Sequence, residues 1–494
     1  MRDWWLVLGM ASVVAAVYSV LSLSRLWRFV AHAFDAGFVD NILWKVSRGL
    51  GDVSGLTGLH HFVDHASPLL FVAVPVYWVA PGAAYPMLLV AQSISVGLVG
   101  VAAWLIGLEL GVDRQIRMAL TIFVLANVAG YWAVVTELHL TSFTVGWFAL
   151  SIAGAFRRWT LRWYWVLPLI VSLGRIELAL GVVIAGVMLR KVSPPHARVM
   201  MRTGAVVAAV LALWMAVAPY DGSSVGGHFG YLHADGLGGL VWAMITSPVE
   251  VLRVVLNRNL FDTLLLWLII VGVVLPIRGL KWFLIAVPMA AIPILGDHYT
   301  ADFWFEHYWT PLLAALAVAV MVTASRVALD RVLLFGLAGS TLILGWAVAG
   351  PWRPLAPTPV WEYGDRVGAV ATVDRLVDYQ GVVSLPDELV RPLARREWVM
   401  VTPMPFACDL GQLFTFVATA GVPDVVVLHE SWRSRVHPRD LARVESVLAT
   451  SYTTIALYGQ YEVLERRPGA DPATVEQCDT VHPQDVLDSL EPYL

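Results

Sequence analysis

The sequence predicts an α-helical polytopic membrane protein, with about eleven helical segments, that carries a soluble α/β domain at its C-terminal end. Three observations predict it. Of 494 residues, 58% are hydrophobic and only 14% are charged, with a mean hydropathy of +0.69, too little charge to cover a soluble protein of this size. The apolar residues come in blocks of about 15 to 25, the length that crosses a hydrocarbon core. After Pro351 the pattern changes to short hydrophobic runs among acidic residues. The net charge of −4 is small and argues against a nucleic-acid partner.

The first apolar run, Trp4 to Leu21, has no small-residue cleavage site and continues into an aromatic, basic stretch. It reads as a retained first helix with the N-terminus in the cytoplasm. Further apolar runs fall at 68–80, 85–109, 118–136, 142–156, 163–190, 203–219, 259–277, 282–296, 309–325 and 332–350. The run 68–80 would span only about 20 Å as a helix, so it is expected to be re-entrant or strongly tilted. The run 163–190 begins and ends in basic residues and carries GRIE (174–177) at its middle, so it is expected to be a broken pair of helices. With these two exceptions, the basic connections DRQIR (113–117), RRWTLR (157–162), RK (190–191), RGLK (278–281) and SRVALDR (325–331) all face the cytoplasm. Residues 1–350 then make up the transmembrane domain, and its first outer loop is 24–67.

Residues 351–494 are expected to form the extracytoplasmic α/β domain, joined through PWRPLAPTP. Strands are predicted in GVVSL (381–385), WVMV (398–401) and DVVVLH (424–429), a helix in HPRDLARVESVLA (437–449), and a closing hairpin in TTIALYG and YEVLERR. The two cysteines, Cys408 and Cys478, fall in this domain and are disulfide candidates in an oxidising compartment.

This threading collects polar residues at the outer boundary: Asp35, Asp40, His60, His61, Asp64, His65, Glu137, His139, Arg175, Glu177, Asp297, His298, Asp302, Glu306 and His307. Wet loops account for many of these, but Glu137 and His139 stand in a very short turn between apolar runs, and charges at that depth face a wet cavity or each other. Arg175 and Glu177 either neutralise each other or form a broken-helix site in which Arg175 meets an anion. In LTGLHHFVDHASP (56–68), helical spacing puts His61 and His65 on one face. The pair has metal-ligand spacing, but there is no H-E-x-x-H, and hydrogen bonding to a phosphate headgroup competes. Metal ligation is not assigned, and a divalent cation is the one cofactor left open. FDAGFVDNILWKVSRG (34–49) suits an amphipathic helix lying in the interface, with Phe34, Phe38, Leu43 and Trp44 towards lipid and its cations towards lipid phosphates. Asp35 and Asp40 are then either solvated or general bases for an acceptor hydroxyl. In DHYTADFWFEHYW (297–309), Trp304 and its aromatic neighbours suit either sugar stacking or an interfacial belt.

FDAGFVDNILWKVSRG, then HASPLLFVAVPVYWVAP, then AQSISV, resembles the signature of a bacterial membrane-protein family, domain of unknown function 2079. The matching positions are Phe34, Asp35, Gly37, Asp40, Trp44, His65, Ser67, Pro68, Pro75, Tyr77 and Gln92. SLPDELVRPLARREWVMV, PDVVVLHES and YGQYEVLERR are similar to that family's tail. Asn41 stands where the family has glutamine, Leu138-His139-Leu140 where it often has phenylalanine-histidine-proline, and Arg175-Ile176-Glu177 where it has lysine-glutamate.

That family is similar to the GT-C glycosyltransferases, and the resemblance implies their fold and a polyprenyl-phosphate sugar donor. It further implies a catalytic acid in the first outer loop, fourteen residues before a glycine; Asp35 and Gly49 have this spacing, so Asp35 comes first and Asp40 second. Arg175, with His65 or His307, would stabilise the departing phosphate. His61, Glu137, His139, Glu177, His298, Asp302 and Trp304 would line the cavity. The acceptor would be an envelope glycan, a lipid or a protein. The residues leave two other readings open: a transporter or flippase, which should show internal repeats, and a non-catalytic scaffold. The Ala, Val, Arg and Trp richness suits a high-GC bacterium such as an actinobacterium.

Overall fold

The structure is a computed structural model that describes residues 2–28, 36–56, 60–61, 66–135, 137–217, 232, 236–256, 260–272, 276–295, 307–327, 331–349, 360–378, 380–402, 406, 416–417, 422–436, 438–472 and 477–478. Among these residues, four helices are long and apolar enough to cross a membrane: Asp3–Trp27, Pro81–Glu109, Arg114–Val135 and Pro194–Met215. Shorter apolar helices pack around them, including Leu140–Phe156, Ile176–Leu189 and Pro311–Ala324.

The run 163–190 is broken, as the sequence predicts, and the run 68–80 is short and irregular. Residues Pro68–Ala73 make a 3-10 turn and Val74–Val79 one short helix, which stops at Ala80 before Pro81 opens the next. The run 163–190 divides into Val166–Ser172 and Ile176–Leu189. The Leu69 N–H donates to the Leu173 carbonyl at 3.0 Å, so the break and the short segment meet. Helix Leu140–Phe156 crosses Pro81–Glu109 closely: the Gly146 N–H donates to Ser95 Oγ at 2.9 Å, and a Cβ on Gly146 would overlap the Ser95 carbonyl. Small residues permit such approach where helices pack in lipid.

At one end of the bundle the basic connections gather. Arg114 donates twice to Asp3, at 2.6 and 2.8 Å, Arg157 pairs with Glu109 at 3.5 Å, and Arg117 stacks 4.1 Å from the Trp104 ring centre. At the other end lie Phe38–Ser47, the 68–79 segment and the break at 173–175. The C-terminal domain covers this end, and its core is continuous with that of the first loop: Phe38, Ile42, Leu43, Leu70 and Tyr77 share one cluster with Val390, Leu393, Val399 and Val401.

The domain holds strands β1 (Val382–Leu385), β2 (Trp398–Val401), β3 (Phe416–Val417), β4 (Val425–His429), β5 (Tyr452–Tyr458), β6 (Tyr461–Arg466) and β7 (Gln477–Cys478). The main sheet runs β2-β1-β4-β6-β5, with β1 parallel to β2 and β4, and β6 antiparallel to β4 and β5. Side chains alternate across it: Val425 and Val427 face helix Val360–Leu376 and the transmembrane domain, whereas Val426 and Leu428 face helix Pro438–Ser451. The predicted strands, polar helix and hairpin all occur. The helices Gly236–Thr246, Pro248–Leu256, Val360–Leu376 and Asp387–Leu393 were not anticipated.

The first-loop helix departs from expectation. Phe38–Ser47 does not lie on lipid with its cations towards phosphates. It is buried on both sides, and Lys45, 2% exposed, donates to the Glu397 carbonyl at 3.1 Å and sits 4.7 Å from the Trp398 ring centre. The apolar stripe that suits a membrane surface equally suits a protein surface, and here the C-terminal domain provides it.

Candidate functional site

Two groups of polar side chains are buried at the covered end. The first is built around the turn before Leu140–Phe156. Gln92, fully buried on Pro81–Glu109, brackets that turn: its Nε2 donates to the Glu137 carbonyl at 2.6 Å, and its Oε1 accepts from the His139 N–H at 2.9 Å. Between these contacts Glu137 holds φ +84°, the left-handed region that a non-glycine residue rarely adopts. The constraint turns the Glu137 carboxylate inward, where its Oε2 accepts from the Ala36 N–H at 3.3 Å. Ala36 directly follows Asp35. Glu137 is 6% exposed and lines a tight crevice of about 10 Å³ with Ser22, Arg25 and Tyr85. A carboxylate and a guanidinium therefore face one small space beside the first loop. Arg25 was missed in the sequence because it reads as an ordinary basic end to an apolar helix.

The second group joins the first loop to the C-terminal domain. Asp40, 1% exposed, accepts from the Tyr77 hydroxyl at 2.7 Å and lies 3.7 Å from Arg391 Nε and 3.5 Å from Arg395 Nε. Asn41 donates to the Ala394 and Arg396 carbonyls at 2.7 and 2.8 Å and accepts from the Gly55 N–H at 2.8 Å. Burial holds the Lys45 ammonium below its ordinary pKa, opposed by Glu397 and Asp52. Asp40 is thus committed to contacts that hold two regions of the chain together. The two groups touch through Tyr85: Arg391 sits 5.2 Å from its ring centre.

The histidines of LTGLHHFVDHASP divide. His60 Nδ1 lies 3.0 Å from Asp52 Oδ1, half-exposed. His61 is buried beneath Phe71 and Phe38, with ring centres 5.4 and 6.1 Å away, and its Nε2 lies 3.4 Å from the Ser67 carbonyl. His139, buried, stands at the N-cap of Leu140–Phe156, and its carbonyl accepts from the Phe143 N–H. Arg175 and Glu177 stand at the helix break with Nε and Oε2 3.4 Å apart, without hydrogen-bond geometry, and Arg175 lies 5.9 Å from the Tyr308 ring centre. Asp35, His65, His298, Asp302, Trp304 and Cys408 lie outside the described residues, and for His307 and Cys478 the backbone alone is described. Among the described residues, no three His, Cys, Asp or Glu side chains gather as a metal site.

The fold has solved relatives. ArnT from Cupriavidus metallidurans, solved bound to undecaprenyl phosphate, matches 95% of this chain and 99% of its own at 12% identity and a TM-score of 0.54. The Archaeoglobus fulgidus oligosaccharyltransferase tethered with an acceptor peptide matches 92% of this chain and 74% of its own, at 10% identity and a TM-score of 0.40. The fold is GT-C-like, as the resemblance implies. No curated protein matches the chain. The family model described as Predicted membrane protein (DUF2079) matches residues 25–350, and the chain belongs to that family of membrane proteins.

Proposed function

We propose that the protein is a membrane glycosyltransferase that takes its sugar from a polyprenyl-phosphate lipid, at the outer face of the cytoplasmic membrane, and transfers it with inversion to an envelope glycan, lipid or protein. The observation that carries this reading is the buried Glu137, fixed at φ +84° by Gln92, with its carboxylate on the N–H of the residue that follows Asp35. Strain of this kind persists where surrounding structure over-determines it, commonly at functional sites. It ties the first loop to a crevice lined by both signs of charge. The GT-C-like fold supports the class of reaction but not the substrate.

In the proposed step Asp35 takes the proton of the acceptor hydroxyl as its oxygen bonds to the anomeric carbon. The carbon–oxygen bond to the lipid phosphate breaks, and its electron pair leaves with the phosphate. A single displacement inverts the anomeric centre. Glu137 acts on Asp35 through the backbone, as a positioning residue. Arg175, with His65 and His307, is proposed to neutralise the departing phosphate by charge-assisted hydrogen bonds. His61 and His139, being buried, would shape the wall. His298, Asp302 and Trp304 are proposed for sugar contact. This orientation also places Cys408 and Cys478 in the oxidising compartment, and a disulfide between them belongs to the proposal.

Purified wild type and Asp35→Asn, both in nanodiscs, would be offered radiolabelled polyprenyl-phosphate sugars. Transfer by wild type, with a loss of at least about a hundredfold in the variant at unchanged melting temperature, is the expected result. Equal transfer by both removes Asp35 from the mechanism. No transfer from any donor, by protein that still binds the lipid, favours a transporter or a scaffold.

A further inference from the structure

The seam between the first loop and the C-terminal domain holds more positive charge than it neutralises. Arg391 lies in the last turn of helix Asp387–Leu393, and Arg395 in the bend just after its end. Among the described residues Asp40 is the one carboxylate in ion-pair range of either. Its distances of 3.7 and 3.5 Å exceed hydrogen-bond length, and its Oδ1 already accepts from Tyr77. The Nε atoms of both arginines are buried without a hydrogen bond, while their side chains are 15% and 28% exposed. The neighbouring Arg396 also has a buried, unbonded Nε, but its terminal nitrogens bond Asp374 at 2.7 Å and the Leu393 and Val377 carbonyls, as expected of an arginine that serves structure. Two guanidiniums and one carboxylate leave a net charge of +1 where burial makes unpaired charge costly. The spare donors lie beside Tyr85, which lines the Glu137 crevice.

We propose that Arg391 and Arg395 bind a phosphate group at this seam, so that the C-terminal domain completes the membrane site. Guanidinium forks match phosphate oxygens in charge and geometry, and a dianion or monoanion offsets the surplus charge. Phosphate carried on a polyprenyl lipid and free phosphate share this chemistry. The assignment to the lipid rests on the transferase reading; the assignment of the two arginines to phosphate does not.

The test uses the full chain in phosphate-free maltoside micelles. Polyprenyl phosphate binding is read by native mass spectrometry, and inorganic phosphate binding by calorimetry, for wild type, Arg395→Gln, Arg391→Gln/Arg395→Gln and Asp40→Asn. Each lost charge-assisted contact should weaken binding about tenfold, and the double variant by more. Asp40→Asn removes the competing carboxylate and should tighten binding, a change of sign that misfolding cannot produce. Weakening with the lipid in the arginine variants supports a lipid-borne phosphate. Weakening with inorganic phosphate alone supports the site and counts against the transferase reading. Unchanged binding of both ligands in the double variant overturns the inference, as does a wild type that binds neither. Sugar transfer by wild type alongside unchanged binding in the double variant would leave the proposed function standing and this site refuted.

Discussion

At the scale of single residues, Gln92 does the most with the fewest atoms. It is an amide buried in an apolar helix, and both of its polar ends bond the backbone of the Glu137 turn. Gln92→Leu would leave a buried carbonyl and a buried N–H unpaired, a cost of about 1–3 kcal/mol each. We expect a fall of several degrees in melting temperature and loss of sugar transfer. Glu137→Gly separates the two roles of that position. Glycine accepts φ +84° freely, which offsets the lost bond to Ala36. Stability should stay within about 1 kcal/mol of wild type, while transfer drops; unchanged transfer would remove the Glu137 carboxylate from the site.

At the scale of elements, the helix Phe38–Ser47 is the hinge pin of the molecule. Asn41 makes three hydrogen bonds to Gly55 and the 394–396 backbone, and Gly55 packs so closely that an added Cβ would lie 2.6 Å from the Glu397 carbonyl. Asn41→Leu should cost about 2–4 kcal/mol by orphaning these groups. Gly55→Ala should loosen the same contact by sterics alone. Both are expected to speed tryptic cleavage after Arg395 or Arg396 at least about tenfold. An unchanged cleavage rate would mean that the apolar core shared by loop and domain holds the two together without the polar clamp.

At the scale of the whole molecule, the ends of the bundle differ in charge. The basic connections share one end through the Arg114–Asp3 and Arg157–Glu109 pairs, and the C-terminal domain covers the other. The positive-inside tendency then predicts that the domain lies outside. In a variant lacking Cys408 and Cys478, Ser434→Cys should react with an impermeant maleimide on intact cells. Arg162→Cys should react only after permeabilisation. The reverse pattern would invert the topology and remove the outer-face reading of the site.

The sequence by itself determined the membrane class, the short segment at 68–79, the break at 173–175 and the strands of the C-terminal domain. These follow from hydropathy, run length and residue alternation, which are local properties. It also marked Asp35, Asp40 and Glu137 as notable, because polar residues in apolar surroundings stand out, and Gln92 through the family resemblance alone. What it could not supply was their partners. An amphipathic stripe specifies an apolar neighbour but not whether that neighbour is lipid or protein, so Phe38–Ser47 read as a surface helix and is in fact a buried joint. Asp40 and Arg391 are more than three hundred residues apart in the chain. Only the tertiary structure decides that such groups meet, because ion pairs and cavities depend on distance in space, and no pattern along the chain encodes it.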